Sequence, residues 1–118
     1  MVEVVAAFSV MTHFAGFPRG VLVSQAAITA NARAIAEHGL ALRPTDRCTS
    51  WLPLYHDMGL IGAWLACLAF GVPTVIMPPL AFLADPSRWL KAISRHKGTM
   101  SAAPNFAYEL CVRAVRDE

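Results

Sequence analysis

From Met58 to Ala84 the chain runs 27 residues without an aspartate, glutamate, lysine, arginine or histidine. A stretch this apolar has to be buried, in lipid or in protein. Its punctuation decides between the two. Gly71-Val72-Pro73 and Pro78-Pro79 interrupt the run, and proline lacks the N–H a helix needs and clashes with the preceding turn. The longest helical piece left is Met58 to Phe70, about 20 Å at 1.5 Å per residue, against roughly 30 Å for a bilayer core. The run therefore reads as a buried helix, a buried strand and a turn, with no membrane span. Composition extends the point: 56% of the 118 residues are hydrophobic and 15% charged, where about 25% charged is usual. Disorder is excluded. One small domain cannot cover so much apolar surface alone, so faces built to meet further protein are expected.

Ten Lys and Arg face eight Asp and Glu, for a net charge of +2. No basic block of the kind that binds nucleic acid occurs, so no nucleic-acid partner is expected. Cys48, Cys67 and Cys111 are odd in number, far apart and outside any C-x-x-C pair. Neither a disulfide framework nor a metal site is indicated, and reduced thiols in a cytoplasmic setting are expected. Glu3 stands where a secretory leader would carry positive charge.

Short apolar runs alternate with helical patterns. Val21-Leu22-Val23 reads as a strand, and Ser24 caps a helix that carries Ile28, Ala32, Ile35 and Ala36 on one face, with Gly39 as its stop. Cys48 to Leu54 is a second strand, Met58 to Phe70 a helix, and Thr74 to Met77 a third strand. Asp85-Pro86 starts a helix with Trp89, Leu90 and Ile93 as its buried stripe and Gly98 as its close. Thr99 to Ala102 is a fourth strand, and a last helix begins near Asn105. The order predicts an α/β fold with a mostly parallel sheet of alternating strands and helices. Trp51, Trp64 and Trp89 are expected in the core.

Ligands of such sheets gather beyond the carboxyl ends of the strands. That places Tyr55-His56-Asp57, the Pro78-Pro79 turn with Leu80 to Leu83, and Ala103-Pro104-Asn105 as candidate site loops. Asp57 has a plain structural role available, as the cap of the helix from Met58. His56 has no second histidine at a metal-ligand spacing, and no metal is assigned. No G-x-S-x-G elbow, P-loop signature or dinucleotide G-x-G-x-x-G occurs.

The run Ser50-Trp51-Leu52-Pro53-Leu54-Tyr55-His56-Asp57-Met58-Gly59-Leu60-Ile61-Gly62 resembles the adenylate-forming, or AMP-binding, superfamily, and within it the fatty acyl-AMP ligases. Further segments keep that order: Gly71-Val72-Pro73, Met77-Pro78-Pro79 with Phe82-Leu83, Pro86-Ser87-Arg88-Trp89-Leu90, and Ser101-Ala102-Ala103-Pro104-Asn105-Phe106-Ala107-Tyr108-Glu109-Leu110-Cys111. The resemblance covers Pro18 to Arg116 and makes residues 18–118 part of a larger amino-terminal AMP-binding domain. It implies activation of a fatty acid by ATP, with Mg²⁺, to an acyl-adenylate, followed by transfer to the phosphopantetheine of an acyl carrier protein. By the same resemblance His56, Asp57, Gly59, Asn105, Phe106 and Tyr108 lie at the acyl-adenylate pocket, and the Met58 to Leu68 helix walls the fatty chain. An origin in an acyl-CoA ligase, or a non-catalytic module that binds acyl chains or a partner, is the alternative.

Residues 1–17 depart from the pattern. The family's phosphate loop reads Thr-Ser-Gly-Ser-Thr-Gly-x-Pro-Lys-Gly. Here Thr12, Gly16, Pro18 and Gly20 remain and Arg19 keeps the charge, while His13, Phe14 and Ala15 replace the Gly-Ser-Thr centre. Two hydroxyls and a flexible glycine are lost. The chain also stops short of the family's adenine, magnesium and ribose motifs and of its catalytic lysine. A fragment that binds neither ATP nor Mg²⁺ tightly and is inactive alone is the expectation.

Overall fold

In the computed structural model the described residues are 5–10 and 19–116. Strand β1 (Val5–Val10) pairs antiparallel with β2 (Arg19–Ser24), Val5 opposite Ser24 and Val10 opposite Arg19. The strand expected at Val21 to Val23 is present, but it lies in this separate hairpin and not in the parallel sheet. Chain length explains the difference: eight residues join β1 to β2, and a parallel crossover needs a dozen or more.

Helix α1 (Gln25–Ala34) starts where Ser24 Oγ accepts the Ala27 N–H at 3.2 Å. It buries Ala32 and widens into a π-turn over Ile35–Gly39, closed by the Leu40 N–H donating to the Ile35 carbonyl at 2.8 Å.

The parallel sheet is built on β3 (Cys48–Ser50), which pairs with β4 (Thr74–Ile76), Cys48 opposite Thr74 and Ser50 opposite Ile76. On its other side Met100 makes a single parallel bridge to Cys48. All three β3 residues are buried, as a strand flanked on both sides should be. β3 ends earlier than the sequence suggests because Ser50 Oγ takes the Leu52 N–H at 3.1 Å and Pro53 has none to give. The fourth strand shrinks to the Met100 bridge for a related reason. Thr49 donates to the Met100 carbonyl at 3.0 Å, but the Thr49 carbonyl then accepts the Ser101 hydroxyl in place of the next backbone N–H.

Helix α2 links β3 to β4 and comprises a π-helical segment, Met58–Leu65, that continues as α-helix over Ala66–Ala69. The Pro78-Pro79 turn is a short helix, α3 (Pro79–Ala84), with proline at its start. Asp85 initiates α4 (Ser87–His96) as expected: its Oδ1 accepts both the Ser87 N–H at 3.0 Å and the Ser87 hydroxyl at 2.7 Å. At the far end the left-handed residue is Lys97 (φ 54), not Gly98. The Gly98 N–H donates to the Ile93 carbonyl at 2.8 Å, a Schellman close. Helix α5 (Asn105–Arg116) completes the fold.

The main core is aromatic. Trp51 stacks on Phe82 with centroids 3.9 Å apart, and Trp89 meets the two rings edge-on at 6.2 and 5.8 Å. Leu52, Ala107 and Cys111 close around them. Trp64 does not join this core. It stands on the outer side of α2, 39% exposed, because a helix that packs one face must turn some of an all-apolar sequence outward. Tyr55, Leu68 and Leu80 are more exposed still. The molecule measures 56 × 41 × 21 Å with a radius of gyration of 15.9 Å, against about 13.5 Å for a compact chain of this length. Its apolar faces are open, as the composition predicts. No helix among the described residues is long and apolar enough to cross a membrane.

Candidate functional site

The carboxyl end of β3 leads through Trp51, Leu52 and Pro53 into Tyr55-His56-Asp57. His56 Nδ1 lies 2.8 Å from Asp57 Oδ1 and 3.2 Å from the Met58 nitrogen. The Met58 N–H donates both to His56 Nδ1 and to Asp57 Oδ1, the latter at 2.8 Å. Asp57 thus caps α2, and both side chains remain exposed. Gly59, two residues after Asp57, is buried against the backbone of Pro53, where a Cβ would lie 2.3 Å from the carbonyl oxygen. Only glycine fits there.

Between α1 and α2 lies a groove of about 630 Å³, lined by Val23, Ala27, Ile28, Asn31, Ile35, Asp57, Met58, Ile61 and Gly62. Asp57 and Asn31 supply its polar side chains; the rest of the wall is aliphatic or thioether. The Ser24 cap positions one wall by starting α1 immediately after β2, and the Asp57 cap positions the other. Ile28 and Ile35 were legible from their helical spacing. Asn31 and Gly62 were not, since each gains meaning only when the two helices face each other.

The structure separates the residues named from the sequence. Asp57 lines the groove and His56 adjoins it. Asn105 opens α5, Phe106 meets Trp51 edge-on at 6.2 Å and Tyr108 tilts against Trp89 at 5.6 Å, so these three border the aromatic core and not the groove. Arg19 and Gly20 form the start of β2, opposite Val10 and Ser9. Thr12, Gly16 and Pro18 lie outside the described residues.

The groove does not suit ATP. Its wall offers one carboxylate and no cation, which would repel a triphosphate. Among the described residues no cluster of acids, histidines and cysteines is arranged to hold a metal ion. What the groove does suit is an uncharged hydrocarbon chain.

Cys48, on β3, and Cys67, on α2, are buried in a second small cluster with Ala63. A hydrogen bond between the two thiols, then burial, pushes Cys48 above the ordinary thiol range. The same hydrogen bond draws Cys67 down to about 6, with burial opposing it and Thr74 assisting.

Residues 15–118 match the family model for AMP-binding enzymes. The chain belongs to the AMP-binding enzyme family. A Caulobacter vibrioides protein provisionally named an acyl-CoA synthetase is 46% identical over 101 residues, 86% of this chain and 18% of that protein. TtuA of Teredinibacter turnerae, a medium-chain-fatty-acid–[acyl-carrier-protein] ligase, is 41% identical over 102 residues, 86% of this chain and 16% of TtuA. A solved structure from a study of fatty acyl-adenylate ligases of E. coli and L. pneumophila superimposes with a TM-score of 0.85 at 45% identity, covering 91% of this chain and 19% of the other. This AMP-binding chain therefore spans under a fifth of the length of these relatives, and its mixed helix and parallel strand fold is that of part of the family's amino-terminal domain.

Proposed function

We propose that the chain is the acyl-pocket segment of a fatty acyl-AMP ligase. The observation that carries this reading is the α1–α2 groove, aliphatic along its wall and polar at Asp57 and Asn31. A fatty chain lies along the aliphatic wall, and His56, which adjoins the groove, packs against the adenylate once it forms. In the whole protein the acid is activated by ATP, with Mg²⁺, and passed to an acyl carrier protein; the TtuA likeness supports that acceptor. Residues 18–118 act as the partial AMP-binding domain and 1–17 as a diverged phosphate-loop region. Alone, the chain binds acyl chains without adenylating them. Its three free cysteines favour a reducing, cytoplasmic setting.

The test is fatty-acid binding by the purified chain, followed by displacement of a fluorescent fatty acid. Affinity should rise about fourfold per added methylene until the groove is full, because each buried CH₂ contributes about 0.8 kcal/mol. Gly62→Trp should abolish binding without unfolding the protein, since nothing lies within 4 Å of a Cβ at Gly62. Binding indifferent to chain length, or unaffected by Gly62→Trp, defeats the acyl-pocket reading. Fatty-acid-dependent ATP–pyrophosphate exchange by the 118-residue chain defeats the claim of inactivity.

A further inference from the structure

A second cavity, about 310 Å³, opens at the opposite end of the parallel sheet from His56 and Asp57. Its walls are Arg47, Pro73, Val75, Arg95, His96 and Lys97. Arg47 immediately precedes β3 and Pro73 precedes β4, whereas Arg95, His96 and Lys97 come from the last turn and cap of α4. Three permanent cations and a histidine thus converge from two separate segments, and the lining contains no acid.

Basic residues in the last turn of a helix favour its dipole, which accounts for Arg95 and His96 being there. It does not account for Arg47, which belongs to another segment. Nor does it account for a lysine in the left-handed position with a glycine one residue later, an arrangement that costs about 1 kcal/mol or more relative to glycine. The nearest acid in sequence, Asp46, does not line the cavity. Asp46 accepts the Arg43 N–H at 2.7 Å and the Thr99 hydroxyl at 2.7 Å, and these hydrogen bonds hold its carboxyl below the usual range. Ion pairs elsewhere in the fold engage Arg33, His56, Arg88 and Arg113. The basic side chains of this cavity stand together on an exposed rim whose lining contains no acid, an arrangement that recognises an oxyanion.

We propose that this cavity binds the phosphate group of a small molecule, at a site separate from the acyl groove. Arg47 and Arg95 present planar forks suited to two oxygens of one phosphate, with Lys97 and His96 completing the charge. Its volume stands at the small end of the roughly 300–1,000 Å³ range of ligand cavities, room for a phosphate with a short attached group.

Inorganic phosphate titrated into the purified chain, at constant ionic strength, tests the proposal. The His96 ring C2 proton should show a saturable NMR shift while that of His38, on the α1 extension, stays still. Arg47→Gln/Arg95→Gln should weaken binding about tenfold or more, as loss of charge-assisted hydrogen bonds does. The control Arg33→Gln/Arg113→Gln removes the same charge from exposed i,i+4 pairs and should change affinity less than twofold. A non-saturable shift, equal shifts at both histidines, or equal weakening by the two double variants overturns the proposal. The histidine shifts need no variant, so a failure to fold cannot hide the answer.

Discussion

Gly98 has no side chain because Thr49 occupies the space one would need: a Cβ on Gly98 would lie 2.5 Å from the Thr49 hydroxyl oxygen and 3.4 Å from its Cβ. The end of α4 thereby rests directly on the central strand. Gly98→Ala should destabilise the protein by about 1–3 kcal/mol through overpacking, read as a lower denaturant midpoint with unchanged slope. Lys97→Gly, one residue earlier at φ 54, should be neutral or stabilising by up to about 1 kcal/mol. Reversal of that order would mean that Lys97, and not Gly98, is the residue the turn depends on.

The two glycines at the start of α2 should behave oppositely. Gly59→Ala drives a Cβ into the Pro53 carbonyl, a backbone atom that cannot rotate away, and should cost about 3 kcal/mol or more. Gly62→Ala meets nothing within 4 Å and should gain up to about 1 kcal/mol from helix propensity. Thermal melts of the two variants against the parent protein decide the matter.

Asp85 should make α4 sensitive to acid. The Ser87 hydroxyl, then the Ser87 N–H and the nearby Lys91 and Arg88, hold its carboxyl below the ordinary 3.8. A carboxyl depressed in the folded state adds stability that is fully present above its unfolded pKa and is lost as pH falls through its folded one. Asp85→Asn keeps an acceptor at the cap but cannot titrate. The stability difference between parent and variant, measured by denaturant melts from pH 6 to pH 2, should shrink on acidification; a constant difference would remove Asp85 from the acid response.

The Cys48–Cys67 pair should give one early thiolate. With Cys67 drawn to about 6 from an ordinary 9.0, its contribution to stability is present above pH 9 and lost as pH falls through 6. Cys48, pushed upward, reverses the trend above pH 9, where the unfolded chain ionises it and the folded one does not. Absorbance at 240 nm should show a thiolate appearing near pH 6 in the parent protein. In Cys48→Ala the donor is gone and burial should push Cys67 upward, so the step near pH 6 disappears. If the step persists in that variant, the thiol pair is not its cause.

Local signals carried much of the fold. Ser24, Asp57 and Asp85 each cap the helix that the sequence assigns to them, and Gly71-Val72-Pro73 ends α2 where the charge-free run breaks. What was hidden depended on distant partners. The Val21 strand finds β1 because the connection is too short for a crossover. Trp64 looks like Trp51 in composition, yet only Trp51 faces α3, α4 and α5. At the site, His56 and Asp57 stood out as polar residues in an apolar stretch, whereas Asn31 and Gly62 became site residues only through the meeting of α1 and α2. Arg47 and Lys97, 50 positions apart, share a cavity that no local pattern announces.

The stacked rings of Trp51 and Phe82, with Trp89 and Phe106 set edge-on around them, tie together residues drawn from the whole second half of the chain. This makes positions 51–106 indivisible in a genetic sense. A recombination junction or a split-protein cut placed anywhere between those codons would leave each product holding part of an aromatic nest. Breakpoints upstream of Cys48 would hand the nest on whole.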